Sequence, residues 1–120
     1  MGNTMEKYKV MLYPKAFRDI ESIYAYIALE KLAPENAKAQ TDRIWAAIEA
    51  LDSFPAAHQD RQVGKYAGRG YKQLLIDHYV AIFRIDEQHK TVYVITVQYQ
   101  GRNIPVRRSG LSGIDRATST

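Results

Sequence analysis

The basic residues of this 120-residue chain are concentrated in two short segments. Residues 55–72 contain four basic residues against one acidic residue, and residues 99–120 have the same ratio. Residues 14–54 instead carry five basic and seven acidic side chains. Like charges held close together repel each other unless an anion neutralises them, so both segments should attract phosphate or an acidic partner. A solvated basic surface that keeps the protein soluble would explain the same pattern.

Arginine, lysine and tyrosine occur together in and near these segments. Such side chains can hold a phosphodiester, stabilise the charge that develops on it and stack a base, and they need no metal or other cofactor. The residues in question are Arg61, Lys65, Arg69, Lys72, Arg84, Tyr99 and Arg102. A purely structural interpretation also stands. Tyr99 would then pack beneath the C-terminal segment, Arg102 and Lys72 would protect sheet edges, and Arg84 would be solvated.

Other catalytic signatures are missing from the sequence. The chain has no cysteine, which excludes thiolate catalysis, disulfides and cysteine-ligated zinc. It has no glycine-rich phosphate loop, no histidine pair at metal-ligand spacing and no G-x-S-x-G motif. His58, His78 and His89 fall in an expected loop and two expected turns, where histidine is usually solvated. No apolar run suits a membrane span or a signal peptide, so we expect a cytoplasmic protein without a membrane partner.

The first half of the chain predicts one strand and two helices. Residues 7–13 alternate apolar and polar side chains, as a strand with one buried face does. From Lys15 the apolar residues follow helical spacing, which places Phe17, Ile20, Tyr24 and Ile27 on one stripe. Leu32-Ala33-Pro34 should end this helix. A second helix follows and closes at Ser53-Phe54-Pro55, with a buried stripe of Ala37, Thr41, Ile44, Ile48 and Leu51.

The second half predicts a loop and three strands. Residues 55–71 contain three glycines and show no sustained period, apart from a possible short strand around Gln62 and Val63. QLLID, YVAIFRID and TVYVITVQY are separated by short polar turns and form an antiparallel meander. The predicted fold class is therefore α+β: an N-terminal strand, an antiparallel helical hairpin and a three-stranded meander in one sheet. Residues 1–104 form one domain, and residues 105–120 are expected to be a flexible tail.

The meander also predicts where the candidate residues lie. Each strand of a meander ends beside the start of its successor, so Lys72 should lie near Arg84. Tyr99 to Arg102 should lie at the opposite end, near His78 and Tyr79. The last two strands are apolar on both faces, so the face opposite the helices should also be covered.

Three segments of the sequence resemble the RelE/ParE family of toxins from type II toxin-antitoxin systems. They are YKVMLYPKAFRDIESIYAYI, GYKQLLIDHYVAIFRID and VYVITVQYQGRN, which occur in the family's order between about residues 6 and 104. The first contains the family's A-x-x-D-(I/L) segment, here Ala16 to Ile20. The resemblance implies a small toxin neutralised by a cognate antitoxin that covers part of its sheet and helices. RelE-like members cut messenger RNA on the ribosome without metal, whereas ParE-like members poison DNA gyrase.

The family's functional positions match this chain in part. Lys72, Arg84 and Arg102 fall where the family has basic residues, whereas Val80 and Tyr99 stand where many members carry arginine and histidine. The resemblance implies a messenger-RNA endonuclease in which Arg102, Tyr99 and Lys72 are catalytic, and Arg61, Lys65, Arg69 and Arg84 hold the RNA. Two alternatives stay open. One is a gyrase inhibitor without catalytic activity, which the missing histidine and arginine favour; the other is a non-toxic member that only binds antitoxin.

Overall fold

A strand, two helices and three strands follow one another in residues 7–100, the part of the chain that this computed structural model describes. Arg102 and the predicted tail, residues 105–120, lie outside the described residues. The strands and helices are β1 (Lys9–Leu12), α1 (Pro14–Ala25), α2 (Pro34–Glu49), β2 (Lys72–Ile76), β3 (Tyr79–Asp86) and β4 (Thr91–Tyr99). The predicted fold class is confirmed. No helix in residues 7–100 is long and apolar enough to cross a bilayer.

The four strands form one sheet in the order β1-β4-β3-β2. β2, β3 and β4 pair antiparallel, as the predicted meander requires, and β1 pairs parallel to β4. Asp77 and Lys90 adopt positive φ in the two turns of the meander. The last strand is therefore central, because β1 returns to its open side.

Helix α1 begins at Pro14 and ends in a π-helical turn, Tyr26–Glu30. Leu32 has a φ of 56° just before Ala33-Pro34, so the predicted break is confirmed. The predicted stripe is partly wrong: Ile20 is buried, but Phe17 and Tyr24 are 48% and 42% exposed. Ala16 is fully buried instead. Its small side chain allows α1 to approach the sheet closely.

The predicted stripe is buried: Ala37, Thr41, Ile44 and Ile48 lie on α2, and Leu51 lies in the 3-10 turn Ala50–Asp52 that follows it. The exposed side of α2 is tied to the β2-β3 turn, where Arg43 Nε and Gln40 Nε2 donate to Asp77 at 2.8 and 2.9 Å. These hydrogen bonds, led by that of Arg43, hold the pKa of Asp77 below its ordinary value.

The core lies between the helices and one face of the sheet, which we call the helix face. Phe83 at its centre is fully buried, and the other sheet residues of the core are Ile76, Tyr79, Ala81, Val92, Val94 and Val97. The strand residues that alternate with them, such as Val80, Ile82 and Tyr93, point to the opposite side, which we call the outer face. The centre of the outer face is also covered, since Val80 and Ile82 are each 1% exposed.

Asp19 of α1 completes the edge of β4 beyond the end of β1. The last pairing of β1 is Leu12 with Val94, and farther along β4 the amide of Val97 donates to Asp19 at 3.0 Å. Thr96 also donates its hydroxyl hydrogen to this carboxylate, and Lys15 Nζ donates at 3.0 Å. Burial by itself raises the pKa of Asp19, but these three donors outweigh it and keep the pKa below its ordinary value.

Candidate functional site

The segment before β2 is a hairpin that pairs with the free edge of the sheet. Arg61 N donates to Tyr71 O at 2.8 Å, Gln73 N donates to Gln59 O at 2.9 Å, and Asp60 faces Lys72 between them. We call residues 59–73 the basic hairpin. The expected strand around Gln62 and Val63 is wrong, because the pairing ends at residue 61 and residues 62–70 form the tip.

Lys72 fixes the base of this hairpin. Its Nζ donates to Asp60 Oδ1 at 2.8 Å and to the carbonyl of His58 at 3.0 Å. The Lys72 side chain is 21% exposed, but the Asp60 side chain is 67% exposed, so the ion pair itself is open to solvent. The ring of His58 in turn packs edge-on against Phe83, with the centroids 5.9 Å apart. The described contacts of Lys72 therefore serve to hold the hairpin against the sheet.

Arg61 lies across the outer face of the sheet. Its Nη1 donates to Gln73 Oε1 of β2 at 2.9 Å and to Gln100 Oε1, just beyond β4, at 3.3 Å. Because β3 lies between β2 and β4, the guanidinium crosses over β3. It meets only neutral amide oxygens in these two contacts, so its positive charge stays available to an anion.

The tip of the basic hairpin presents Lys65 and Arg69 to solvent. Arg69 Nη1 donates to the carbonyl of Lys65 at 3.2 Å, and Lys65 Nζ lies 5.4 Å from the centroid of the Tyr66 ring. Tyr66 packs edge-on against Tyr71 at 4.9 Å. The two aromatic rings thus give the tip a small core of its own.

Arg84 belongs to a different cluster, on the outer face beside β1. Its guanidinium lies 4.4 Å from the centroid of the Tyr93 ring, and Tyr13 packs edge-on against that ring at 6.1 Å. The hydrogen bond between Tyr13 and Arg84 raises the pKa of Arg84 above its ordinary value. Arg84 is therefore a fixed cation on an aromatic platform.

Tyr99 lies at the far end of the sheet, on the helix face. It pairs with Tyr79, and their rings meet edge-on at 5.6 Å. Burial raises the pKa of Tyr79, so its phenol stays protonated, whereas Tyr99 is 70% exposed. A groove of about 580 Å³ continues from this pair to the end of α1, lined also by Ser22, Ile23, Tyr26, Ile27 and Lys31.

The register separates residues that were expected to act together. Lys72 pairs with Phe83, so it lies beside Arg84 along the sheet, as predicted, but on the opposite face. Lys72 also lies four residues along β2 from Ile76, which pairs with Tyr79 at the end that holds Tyr99. At about 3.3 Å per residue, this is about 13 Å along the strand direction.

One surface that the sequence did not predict is a groove of about 300 Å³ between α1 and α2. Phe17 and Trp45 meet across it with ring centroids 5.5 Å apart, and its other lining residues are Ile20, Glu21, Tyr24 and Thr41. The sequence did contain a signal for this groove, namely the aromatic residues Phe17 and Tyr24 on one helix. Their helical spacing was interpreted as part of the buried stripe. Among residues 7–100, no three His, Asp or Glu side chains are arranged to bind a metal ion.

Comparison with known proteins gives one family and several similar structures. The sequence profile described as "ParE toxin of type II toxin-antitoxin system, parDE" matches residues 10–104. A chain of the chromosomal ParDE system from P. aeruginosa has a TM-score of 0.63 at 20% identity, covering 78% of this chain and 96% of that one. A chain of the RelBE2 toxin-antitoxin complex from Mycobacterium tuberculosis has 0.53 at 24%, covering 81% and 95%.

A chain of the archaeal RelE-RelB complex from Pyrococcus horikoshii has a TM-score of 0.55 at 17% identity, covering 80% of this chain and 98% of that one. At these identities the likeness of the three structures concerns the fold. No curated protein sequence is similar enough to the chain to count as a match.

Proposed function

Because the chain belongs to the family of ParE toxins of type II toxin-antitoxin systems, we propose that it stops growth by binding DNA gyrase and not by cutting RNA. The toxin domain comprises residues 1–104. The observation that carries the proposal is the separation of Lys72 from Tyr99, which lie at opposite ends of the sheet. A metal-free nuclease must bring its acid, its base and its phosphate ligand to one scissile bond.

The contacts of Lys72 support the same proposal. Two of the three N–H donors of Lys72 are already used, by Asp60 and by the carbonyl of His58. Arg84 lies on the other face of the sheet and stacks on Tyr93. Residues placed this way can each contribute to a binding surface, which needs no convergence on a single bond.

RNA cleavage on the ribosome remains the second candidate, favoured by the cations of the basic hairpin and by Arg102, which lies within the matched residues. In that case Arg61, Lys65, Arg69 and Arg84 would grip the backbone of messenger RNA, and Arg102 would stabilise the pentavalent phosphate. Tyr99 would stack on a base or orient the attacking hydroxyl.

One pair of assays separates the candidates. The purified chain is added to DNA gyrase with relaxed plasmid, and separately to a translating extract that contains a labelled messenger. We expect supercoiling to fall with increasing toxin while the messenger stays intact. Intact gyrase activity at saturating toxin, together with a cut messenger, would favour the nuclease. If both assays are negative and expression without antitoxin is harmless, the chain is a non-toxic family member.

We also infer that a cognate antitoxin binds the helical hairpin. Phe17 and Tyr24 are half exposed beside Trp45, and apolar side chains of this size on a surface groove are usual at interfaces. An antitoxin helix that lays its apolar side in the groove would cover all three rings. Co-purification of the chain with the product of a neighbouring antitoxin gene would test this partner.

A further inference from the structure

We propose that the basic hairpin, residues 59–73, binds the phosphate backbone of duplex DNA while the toxin acts on gyrase. The inference rests on the proposed function, because gyrase presents the toxin with DNA. Duplex DNA would then be a second partner of the toxin, and the basic hairpin would be the surface that binds it. Three properties of the hairpin carry it: its unneutralised charge, its anchored base and its exposed tip.

Three of the four cations of the hairpin have no countercharge within the part of the chain that the structure describes, and the fourth, Lys72, pairs with Asp60. Residues 61–76 contain no acidic side chain, and Arg61, Lys65 and Arg69 form no ion pair with residues 7–100. Their partners are amide oxygens, backbone carbonyls and an aromatic ring. Several cations elsewhere are paired, as in Lys15–Asp19, Lys38–Asp42 and Arg43–Asp77. Lys9, Arg18 and Arg84 form no ion pair with residues 7–100, but they are not clustered in one segment. An external polyanion would supply the missing countercharges.

The base of the hairpin is held in place. Two backbone hydrogen bonds and the Lys72–Asp60 pair join its two sides, and Lys72 also binds the carbonyl of His58. Because the base is fixed, the tip is presented without the full entropic cost of ordering a free loop. The positive charge therefore lies at a defined place on the sheet edge.

The residue types at the tip suit contact with the phosphate backbone of DNA. Lys65 and Arg69 point into solvent, and a long, flexible cation can meet a phosphate without reading a base. Gly68 has a φ of 68°, and no heavy atom lies within 4 Å of the position its Cβ would take. Glycine is therefore favoured here by the positive φ of the protein backbone and not by crowding, and the space beside the tip is open. We expect binding that does not depend on DNA sequence.

Fluorescence anisotropy with a labelled 30-base-pair duplex tests the proposal without gyrase. The full-length toxin is compared with Lys65→Gln/Arg69→Gln across 50 to 200 mM salt. Each lost phosphate contact reduces the salt slope by about 0.9. The wild type should therefore lose about tenfold more affinity over this salt range than the variant does. Circular dichroism checks that the variant is folded.

Lys9→Gln/Arg18→Gln is the matched control, since it removes the same charge from β1 and α1, where both side chains are exposed. The proposal predicts that its salt slope stays near that of the wild type. An equal loss in control and hairpin variants would assign the effect to net charge and overturn the proposal. Absence of duplex binding would also overturn it, as would tighter hairpin-dependent binding of single-stranded RNA of equal length.

The supercoiling assay keeps the two proposals apart. Toxin that binds duplex DNA through the hairpin but leaves gyrase active would contradict the proposed function alone. Toxin that inhibits gyrase and whose hairpin variant retains the full salt slope would contradict the DNA contact alone.

Discussion

The carboxylate of Asp19 accepts the backbone amide of Val97 at 3.0 Å and so takes the place of a strand partner that β1 does not supply. The two residues are 78 positions apart in the sequence, yet one side chain joins the first helix to the last strand. Ala16 and Ile20, three residues before it and one after it, are buried beneath the same helix. The A-x-x-D-I segment is thus explained by docking of α1 on β4.

Replacing Asp19 should destabilise the fold more than replacing other acidic residues. Asp19→Ala leaves the amide of Val97 and the hydroxyl of Thr96 without their acceptor in a site where the Asp19 side chain is 20% exposed. We expect a loss of about 2 kcal/mol in the free energy of unfolding, measured by urea denaturation. Asp42→Asn, which breaks an exposed i,i+4 pair, should change little. Equal midpoints for the two variants would contradict this role of Asp19.

The same carboxylate should contribute to acid sensitivity. Its pKa is lowered in the folded protein, so its stabilising contribution is complete above the ordinary carboxyl pKa of about 3.9. The contribution is lost as the pH falls through the lower folded pKa. Asp19→Asn cannot titrate, so its stability should fall less steeply than that of the wild type below about pH 4. The urea midpoints of the wild type and of Asp19→Asn are measured between about pH 2.5 and 6. If the two plots of midpoint against pH are parallel, Asp19 has no such effect.

The elements of this fold could be predicted because each has its own hydrophobic period. The place of β1 beside β4 could not, because a parallel pairing depends on contacts between distant segments that no local pattern records. The α1 stripe was misplaced because Ala16, a small residue, is buried in place of the larger Phe17.

The sequence also did not predict on which face of the sheet each candidate residue lies. Lys72 and Arg84 were correctly placed at one end of the sheet, but a shift of one residue in register reverses the face of a side chain. The sequence did not fix the register of β2 on β3 to that accuracy, and Lys72 pairs with Phe83, one residue from Arg84. The functional roles of the candidate residues are therefore still predictions.

The ion pair at the base of the hairpin should make a modest and measurable contribution. Lys72 is largely buried, but Asp60 is 67% exposed, so solvent screens the pair. A double-mutant cycle with Lys72→Gln and Asp60→Asn should give a coupling of about 0.5 kcal/mol. Lys72→Gln alone should cost more, because the carbonyl of His58 also loses its donor. A coupling of zero would show that the carbonyl contact alone holds Lys72.

Phe54 should be replaceable with a gain in stability. It adopts φ 53° and ψ 46° before Pro55, a conformation that is unfavourable for a side chain with a β-carbon but is tolerated by asparagine. Its ring is 66% exposed, so little packing is lost. We expect Phe54→Asn to raise the free energy of unfolding by about 0.5 to 1 kcal/mol. Phe54→Ala is the control, and an equal gain there would mean that removal of the ring, not backbone strain, is responsible.

Charge placed in the groove between α1 and α2 should weaken the antitoxin complex. Phe17 packs against Trp45 at 5.5 Å and is 48% exposed. Phe17→Asp would bury a carboxylate at an apolar interface, where it has no partner to offset desolvation. We expect the dissociation constant for the cognate antitoxin to rise at least about tenfold, or about 1.4 kcal/mol. Isothermal titration calorimetry measures it.

Phe54→Asn is the matched control for this experiment, because it removes an exposed aromatic ring outside the groove. It should bind antitoxin as the wild type does, and circular dichroism should show both variants folded. In cells, toxin with Phe17→Asp should need more antitoxin for neutralisation, since less complex forms at a given concentration. Unchanged affinity for folded Phe17→Asp would place the antitoxin elsewhere. Burial by the antitoxin would then not explain why Phe17 and Tyr24 are half exposed.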